Sequence, residues 1–193
     1  MDLGLKGKVA IITGGSDGIG KAAAISMASE GAKVAIVGRT QEKLDAAVAE
    51  VRNVSGGEAI GVAADVSVES DVKAMVAKVV GEFGQLDILV NNAGTSAATT
   101  LEQMTDEQLK VDFGIKVYGA VYCARAALPH LKKSGAGAIV NTTTPGGKAP
   151  NPGGQPTSLS RAAGISLTKS WAGELAKDNI RVNTVCVGVL KSG

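Results

Sequence analysis

An apolar stretch, Val9-Ala10-Ile11-Ile12-Thr13, runs directly into Gly14-Gly15-Ser16-Asp17-Gly18-Ile19-Gly20 and then into an alanine-rich segment. Glycine lets a chain turn sharply, take positive φ and bring its backbone close to a ligand. A helix that begins at such a turn offers free N–H groups and the positive end of its dipole to an anion. Strand, turn and helix stand here in the order that a dinucleotide diphosphate requires, with the glycines spaced G-x-x-x-G-x-G, so dinucleotide binding is the leading expectation. The two cysteines, Cys123 and Cys186, lie far apart without a CxxC or Cys/His cluster. Neither a disulfide framework nor a metal site is expected from them, and a reducing, cytoplasmic compartment fits best.

The turn needs a scaffold, and the rest of the chain supplies one. Short apolar, β-branched runs recur at 9–13, 33–37, 58–62, 86–90, 138–142 and 180–187, and each predicts a buried strand. Between them, Val72, Met75, Val76, Val79, Val80 and Phe83 keep the spacing of one apolar helix face. Residues 40–53 predict another helix, capped by Thr40 and carrying Leu44, Ala47, Val48 and Val51. Thr105 followed by Gln108 predicts a capping box that opens a helix running to about residue 133, and 157–178 predicts a further long helix. Repeated βαβ units of this kind imply an α/β fold: a doubly wound parallel sheet in three layers, with ligands at the carboxyl ends of the strands. No linker or repeat divides the chain, so residues 1–193 are expected to form a single dinucleotide-binding domain.

Composition narrows the partners. The 193 residues are 45% hydrophobic, 20% charged and only 3% aromatic, which predicts a packed aliphatic core. The formal charge of +2 is spread without a basic block, so no nucleic-acid footprint is expected. No apolar run approaches the length needed to span a bilayer, and the amino terminus lacks the apolar core of a signal peptide, so a soluble protein with no membrane partner is expected.

Thr13 to Gly20, Asp65-Val66 after the third strand, and Asn91-Asn92-Ala93-Gly94 after the fourth resemble the short-chain dehydrogenase/reductase family. The resemblance continues through Ala138 to Thr144 and from Ser166 into Gly188, spanning residues 5 to 190. It implies a Rossmann-like fold and a nicotinamide cofactor. Gly14, Ser16, Asp17, Gly18, Ile19 and Gly20 would lie along its phosphates and adenosine. Asp65 and Val66 would meet the adenine, Asn91, Ala93 and Gly94 the ribose side, and Gly188 the far end of the cofactor. Gly38-Arg39 closes the second strand, where a carboxylate would favour a ribose 2′-hydroxyl. A guanidinium fork suits a 2′-phosphate, so NADP is expected over NAD, with Asp17 as a mild opposing charge.

The chain departs from the family pattern where the chemistry sits. The family uses a tyrosine and lysine spaced YxxxK, a serine thirteen positions before the tyrosine, and an asparagine in the long helix. Here Thr157 and Arg161 take the first two places, Thr144 stands thirteen positions before Thr157, and Lys116 takes the asparagine place. An aliphatic hydroxyl cannot hold a proton reservoir as a phenol of pKa near 10 can, but Thr157 and Thr144 can polarise an oxygen. Arg161 keeps a fixed positive charge. A buried Lys116 beside Arg161, its pKa lowered, or else water is expected to handle the proton. The resemblance thus implies hydride transfer between a nicotinamide and a small carbonyl or alcohol. The alternative is a catalytically silent nucleotide-binding homologue acting as sensor, scaffold or partner subunit. Tyr118, Tyr122 and Trp171 are expected in packing or subunit contacts, His130 as a surface helix cap and Lys148 as a loop residue beside the substrate cleft. A homodimer or homotetramer through helices 105–133 and 157–178 is expected. The sequence also stops before the family's last strand, so the sheet is expected to be truncated there.

Overall fold

Val9, Ala10, Ile11, Ile12 and Thr13 are all buried, as a central parallel strand covered on both faces requires. In this computed structural model, which describes residues 2–188, they form β1 (Val9–Thr13) of a six-stranded sheet. The others are β2 (Lys33–Gly38), β3 (Ala59–Ala63), β4 (Ile88–Asn91), β5 (Ala138–Thr143) and β6 (Arg181–Cys186). Every pairing is parallel and the spatial order is β3-β2-β1-β4-β5-β6, so chain direction across the sheet reverses between β1 and β4. That reversal opens the crevice in which doubly wound sheets hold their ligands.

Successive residues of β1 feed opposite layers. Ala10 and Ile12 pack with α1 (Gly18–Ser29) and α2 (Gln41–Ser55) through Ala24, Ala28, Leu44 and Val51. Val9 and Ile11 pack on the other face, with α3 (Glu69–Phe83), α5 (Gly119–Ser134) and α6 (Thr157–Leu175). The α/β architecture expected from the apolar periodicity is therefore the one observed. No described helix is long and apolar enough to cross a membrane.

Local details differ from expectation. The strand boundaries move by one or two residues, with β4 opening at Ile88 rather than Leu86. Thr40 precedes α2 but makes no side-chain cap, and only its carbonyl accepts, from Leu44 N at 3.1 Å. Thr105 does form both halves of a capping box with Gln108. The helix it opens is not continuous to residue 133: α4 (Asp106–Phe113) passes into a single π-helical turn, Gly114–Tyr118, before α5. Gly119 N donates to Gly114 O across that turn, and isolated π turns of this kind gather at functional sites. The expected truncation after β6 concerns residues beyond Gly188, outside the described residues.

Candidate active site

The glycine turn is held from the neighbouring strand. Asn92 Nδ2 donates to Thr13 O (3.0 Å) and Gly14 O (3.2 Å), while Thr13 Oγ1 accepts from Asn92 N and Ala93 N. Gly14 has φ 63, and a Cβ on Gly20 would lie 2.3 Å from Gly14 O, so neither position admits another side chain without moving the backbone. Asp17 caps α1, accepting from Gly18 N at 2.7 Å.

In front of this turn lies a crevice of about 730 Å³, within the range of small-molecule and cofactor sites. Gly14, Ser16, Asp17, Gly18 and Ile19 line its centre. Arg39, Thr40 and Lys43 line one end, with Asp65 and Val66 beside them. Ala93, Gly94, Thr144, Arg161 and Gly188 line the other. The Ser67 hydroxyl holds the Asp65 carboxyl below the ordinary carboxylate range against the opposing effect of burial, and the Ser67 amide and the Arg39 charge add to it. A close-approach glycine turn at a helix start, flanked by two cations at one end and a half-buried arginine at the other, fits a dinucleotide with its phosphates on the turn. Two expected contacts lie off the crevice. Gly20 sits behind the turn, and Asn91 lines the small void beneath the crevice, where its Nδ2 donates to Asn141 Oδ1 at 2.9 Å. The neighbouring Asn92, which the sequence reading passed over, is the residue on the crevice.

At the Arg161 end the structure gathers all four expected reactive side chains, by different routes. Thr144 and Arg161 line the crevice itself. Arg161 Nη1 donates to Thr142 O at 2.6 Å, and its Nε is buried with no partner among the described residues. Lys116 comes from the π turn, its side chain only 2% exposed, and lines a small void beneath the crevice together with Arg161. The backbone at Gly94 passes directly over both: a Cβ there would lie 3.0 Å from Arg161 Nη2 and 3.2 Å from Lys116 Cε. Thr157, the first residue of α6, accepts at Oγ1 from Ala97 N (3.0 Å) and from Lys116 Nζ (3.3 Å).

Lys116 also donates to Asp112 Oδ1, a buried partner absent from the sequence reading although the four-residue spacing on a helix was its signal. Burial pushes the Lys116 ammonium below the ordinary lysine value and the charge of Arg161 adds to this, while Asp112 opposes both. Burial likewise lowers Arg161 against the attraction of Asp112, and a guanidinium stays charged at neutral pH.

The other singled-out residues lie apart. Tyr118 and Tyr122 stack with ring centroids 6.3 Å apart, with Tyr118 exposed. Trp171 packs against the core, His130 is half-buried on α5, and Lys148 is exposed. Among the described residues no group of three or more His, Cys, Asp or Glu could hold a metal.

Comparison with known proteins agrees with this geometry. The family described as short chain dehydrogenase matches residues 8–193. The 3-oxoacyl-(acyl-carrier-protein) reductase FabG of Thermotoga maritima is 36% identical over 188 residues, 97% of this chain and 76% of that protein. The crystal structure of L-sorbose reductase from Gluconobacter frateurii, complexed with NADPH and L-sorbose, matches with a TM-score of 0.93 at 38% identity, over 96% of this chain and 71% of that one. An NAD+-bound xylitol dehydrogenase matches with a TM-score of 0.94 at 34% identity, over 98% and 73%.

Proposed function

The chain belongs to the short chain dehydrogenase family, and from that membership we infer an NAD(P)-dependent oxidoreductase that interconverts a small carbonyl compound and its alcohol. When bound, the nicotinamide supplies or accepts the hydride. The protein supplies the rest. The glycine turn and the start of α1 hold the diphosphate, and the unpartnered Nε of Arg161 is a donor for the ribose next to the nicotinamide. Thr144, at the mouth of the same crevice, is a donor to the substrate oxygen.

The observation that carries the proton chemistry is the environment of Thr157. Its oxygen already accepts two hydrogen bonds, from Ala97 N and Lys116 Nζ, so both lone pairs are occupied and its own proton is left to donate. Thr157 passes that proton to the substrate oxygen during reduction and takes another from Lys116. In oxidation the same path runs backwards to a neutral Lys116. An ammonium whose affinity for its proton has been lowered by burial is matched to this task. A buried ion pair whose lysine donates to Thr157 supports turnover over a silent nucleotide-binding role.

Arg39 and Lys43 at the adenosine end support NADP over NAD, because two cations there can meet a 2′-phosphate while the Asp65 carboxylate is occupied by Ser67. Exposed Val111, Tyr118 and Leu159 support a homodimer or homotetramer through helices 105–133 and 157–178, which light scattering would check. The unclustered cysteines support a cytoplasmic location.

The decisive experiment presents the purified protein with NADPH and with NADH, alongside small ketones, aldehydes, ketoses and acyl thioesters. Oxidation of NADPH with at least one carbonyl, and tighter binding of NADPH than NADH, is the expected result. Tight binding of either cofactor with no turnover of any carbonyl or alcohol would overturn the enzymatic reading and leave the nucleotide-binding one.

A further inference from the structure

Asp112 lines neither the crevice nor the void beneath it, yet its side chain is 1% exposed and faces Lys116. One carboxylate oxygen accepts from Lys116 Nζ, and the other is buried with no partner among the described residues. The pair straddles the junction where α4 gives way to the π turn, so the change of helical pitch falls between the two charges. A buried ion pair of this sort is a poor device for stability, since apolar residues of the same volume serve the fold as well or better. What the arrangement does provide is direction: with Asp112 on one side, Lys116 Nζ keeps a second N–H for Thr157 Oγ1.

We propose that Asp112 is a positioning residue, which keeps the Lys116 ammonium protonated in its buried site and aims it at the Thr157 hydroxyl. The inference rests on the reading of Lys116 as the proton donor. During reduction one N–H bond breaks at Lys116 and one O–H bond forms at the substrate oxygen, with Thr157 ending as it began. No electrons pass through the three residues. Lys116 is left as a neutral amine that regains its proton from solvent, and Asp112 stays anionic throughout. The charged groups facing Lys116 are Asp112 from α4 and Arg161 from α6. Cys123, on the same void, is a neutral thiol, since burial pushes it up to about 12. Asn91, Asn141, Thr13 and Ser160 complete the polar wall and carry no charge.

The test is an NMR titration of the cofactor-free protein carrying isotopically labelled lysine, with the Lys116 signal identified by its loss in Lys116→Met. In Asp112→Asn the Lys116 midpoint is expected to fall by about one pH unit or more, the size of effect that an opposite charge at contact produces. In Asp112→Glu it is expected to return towards the parent value. The pH profile of carbonyl reduction provides the second readout: the loss of kcat on the alkaline side is expected to move down by the same amount in Asp112→Asn, with the KM for NADPH unchanged. An unmoved Lys116 midpoint overturns the proposal. A moved midpoint with an unmoved kcat profile upholds it and instead overturns Lys116 as proton donor. Should Asp112→Asn fail to fold, Thr157→Val serves, because it removes the other partner of Lys116 and leaves Asp112. The midpoint is then expected to stay, and a fall of about a unit or more in Thr157→Val would overturn the proposal.

Discussion

Thr157 carries a hydroxyl too weakly acidic to keep or release a proton near neutrality by itself, so the part proposed for it depends on the two donors that fill its lone pairs. Valine has the same shape without the hydroxyl. Thr157→Val is therefore expected to lower kcat by about 10²-fold, the lower end of what general acid catalysis contributes, and to leave NADPH affinity unchanged. Steady-state kinetics beside a fluorescence titration of NADPH checks both halves. At the opposite end of the crevice, Arg39→Ser would remove the charge-assisted contact proposed for a 2′-phosphate, worth about 1.5–3 kcal/mol. NADPH binding is expected to weaken by about 10- to 100-fold while NADH binding stays level. Equal losses for both cofactors would show that Arg39 acts on something other than that phosphate. At this scale the sequence was informative wherever a residue type carries its own constraint, as at Gly14 and Gly20. It was less so where the outcome depends on which way a side chain turns. Asn91 and Asn92 are neighbours of the same chemistry, and only the pleat at the end of β4 sends the first to Asn141 on the face beneath the crevice and the second to the glycine turn.

The elements differ in how plainly their sequences declared them. Four apolar residues and a β-branched threonine running into a glycine turn leave β1 little choice, and Thr105 with Gln108 states a helix start in its own side chains. The π turn carries no comparable mark, because widening one turn by a residue leaves Val111, Ile115 and Tyr122 compatible with a regular helix. Its placement comes from tertiary contact: Gly119 lies so close to the segment after β3 that a Cβ would come within 2.9 Å of Val66 Cγ2. Gly119→Ala is accordingly expected to destabilise the fold by about 1–3 kcal/mol, the usual cost of overpacking, although alanine is the better helix former. Because Val66 lines the crevice, the same variant is expected to bind NADPH more weakly. Thermal melting with and without NADPH separates the two effects: the melting point falls without ligand, and ligand recovers less of it than in the parent protein.

Taken whole, the molecule divides its labour between the two ends of one sheet. The carboxyl ends of the strands hold the crevice, with the start of α1 on its wall and the buried Lys116–Asp112 pair nearby. The amino ends carry no such task, and there Asp87 ties the fold together. It is 3% exposed and accepts from Val9 N, Lys8 Nζ, Gln85 Nε2 and Ser134 Oγ, joining the start of β1 to the end of α5. Burial alone would raise the Asp87 carboxyl, but the Ser134 hydroxyl, the Val9 amide and Lys8 together hold it below the ordinary carboxylate value. The unfolded chain therefore binds this proton more tightly than the folded one. The stabilisation is complete above the ordinary carboxylate value and is lost as the pH falls through the lower, folded-state value. Asp87→Asn puts an amide donor against donors and removes the charge, so a loss on the order of 3 kcal/mol is expected at pH 7 from hydrogen bonds to a charged acceptor. Urea midpoints of the two proteins are expected to stand well apart at pH 7 and to converge as acid protonates Asp87 in the parent. NADPH affinity at pH 7 is expected to be the same in both, because the substitution lies at the end of the sheet away from the crevice. A gap that persists undiminished in acid would mean that the shape of the side chain at position 87, and not its charge, secures β1 to α5.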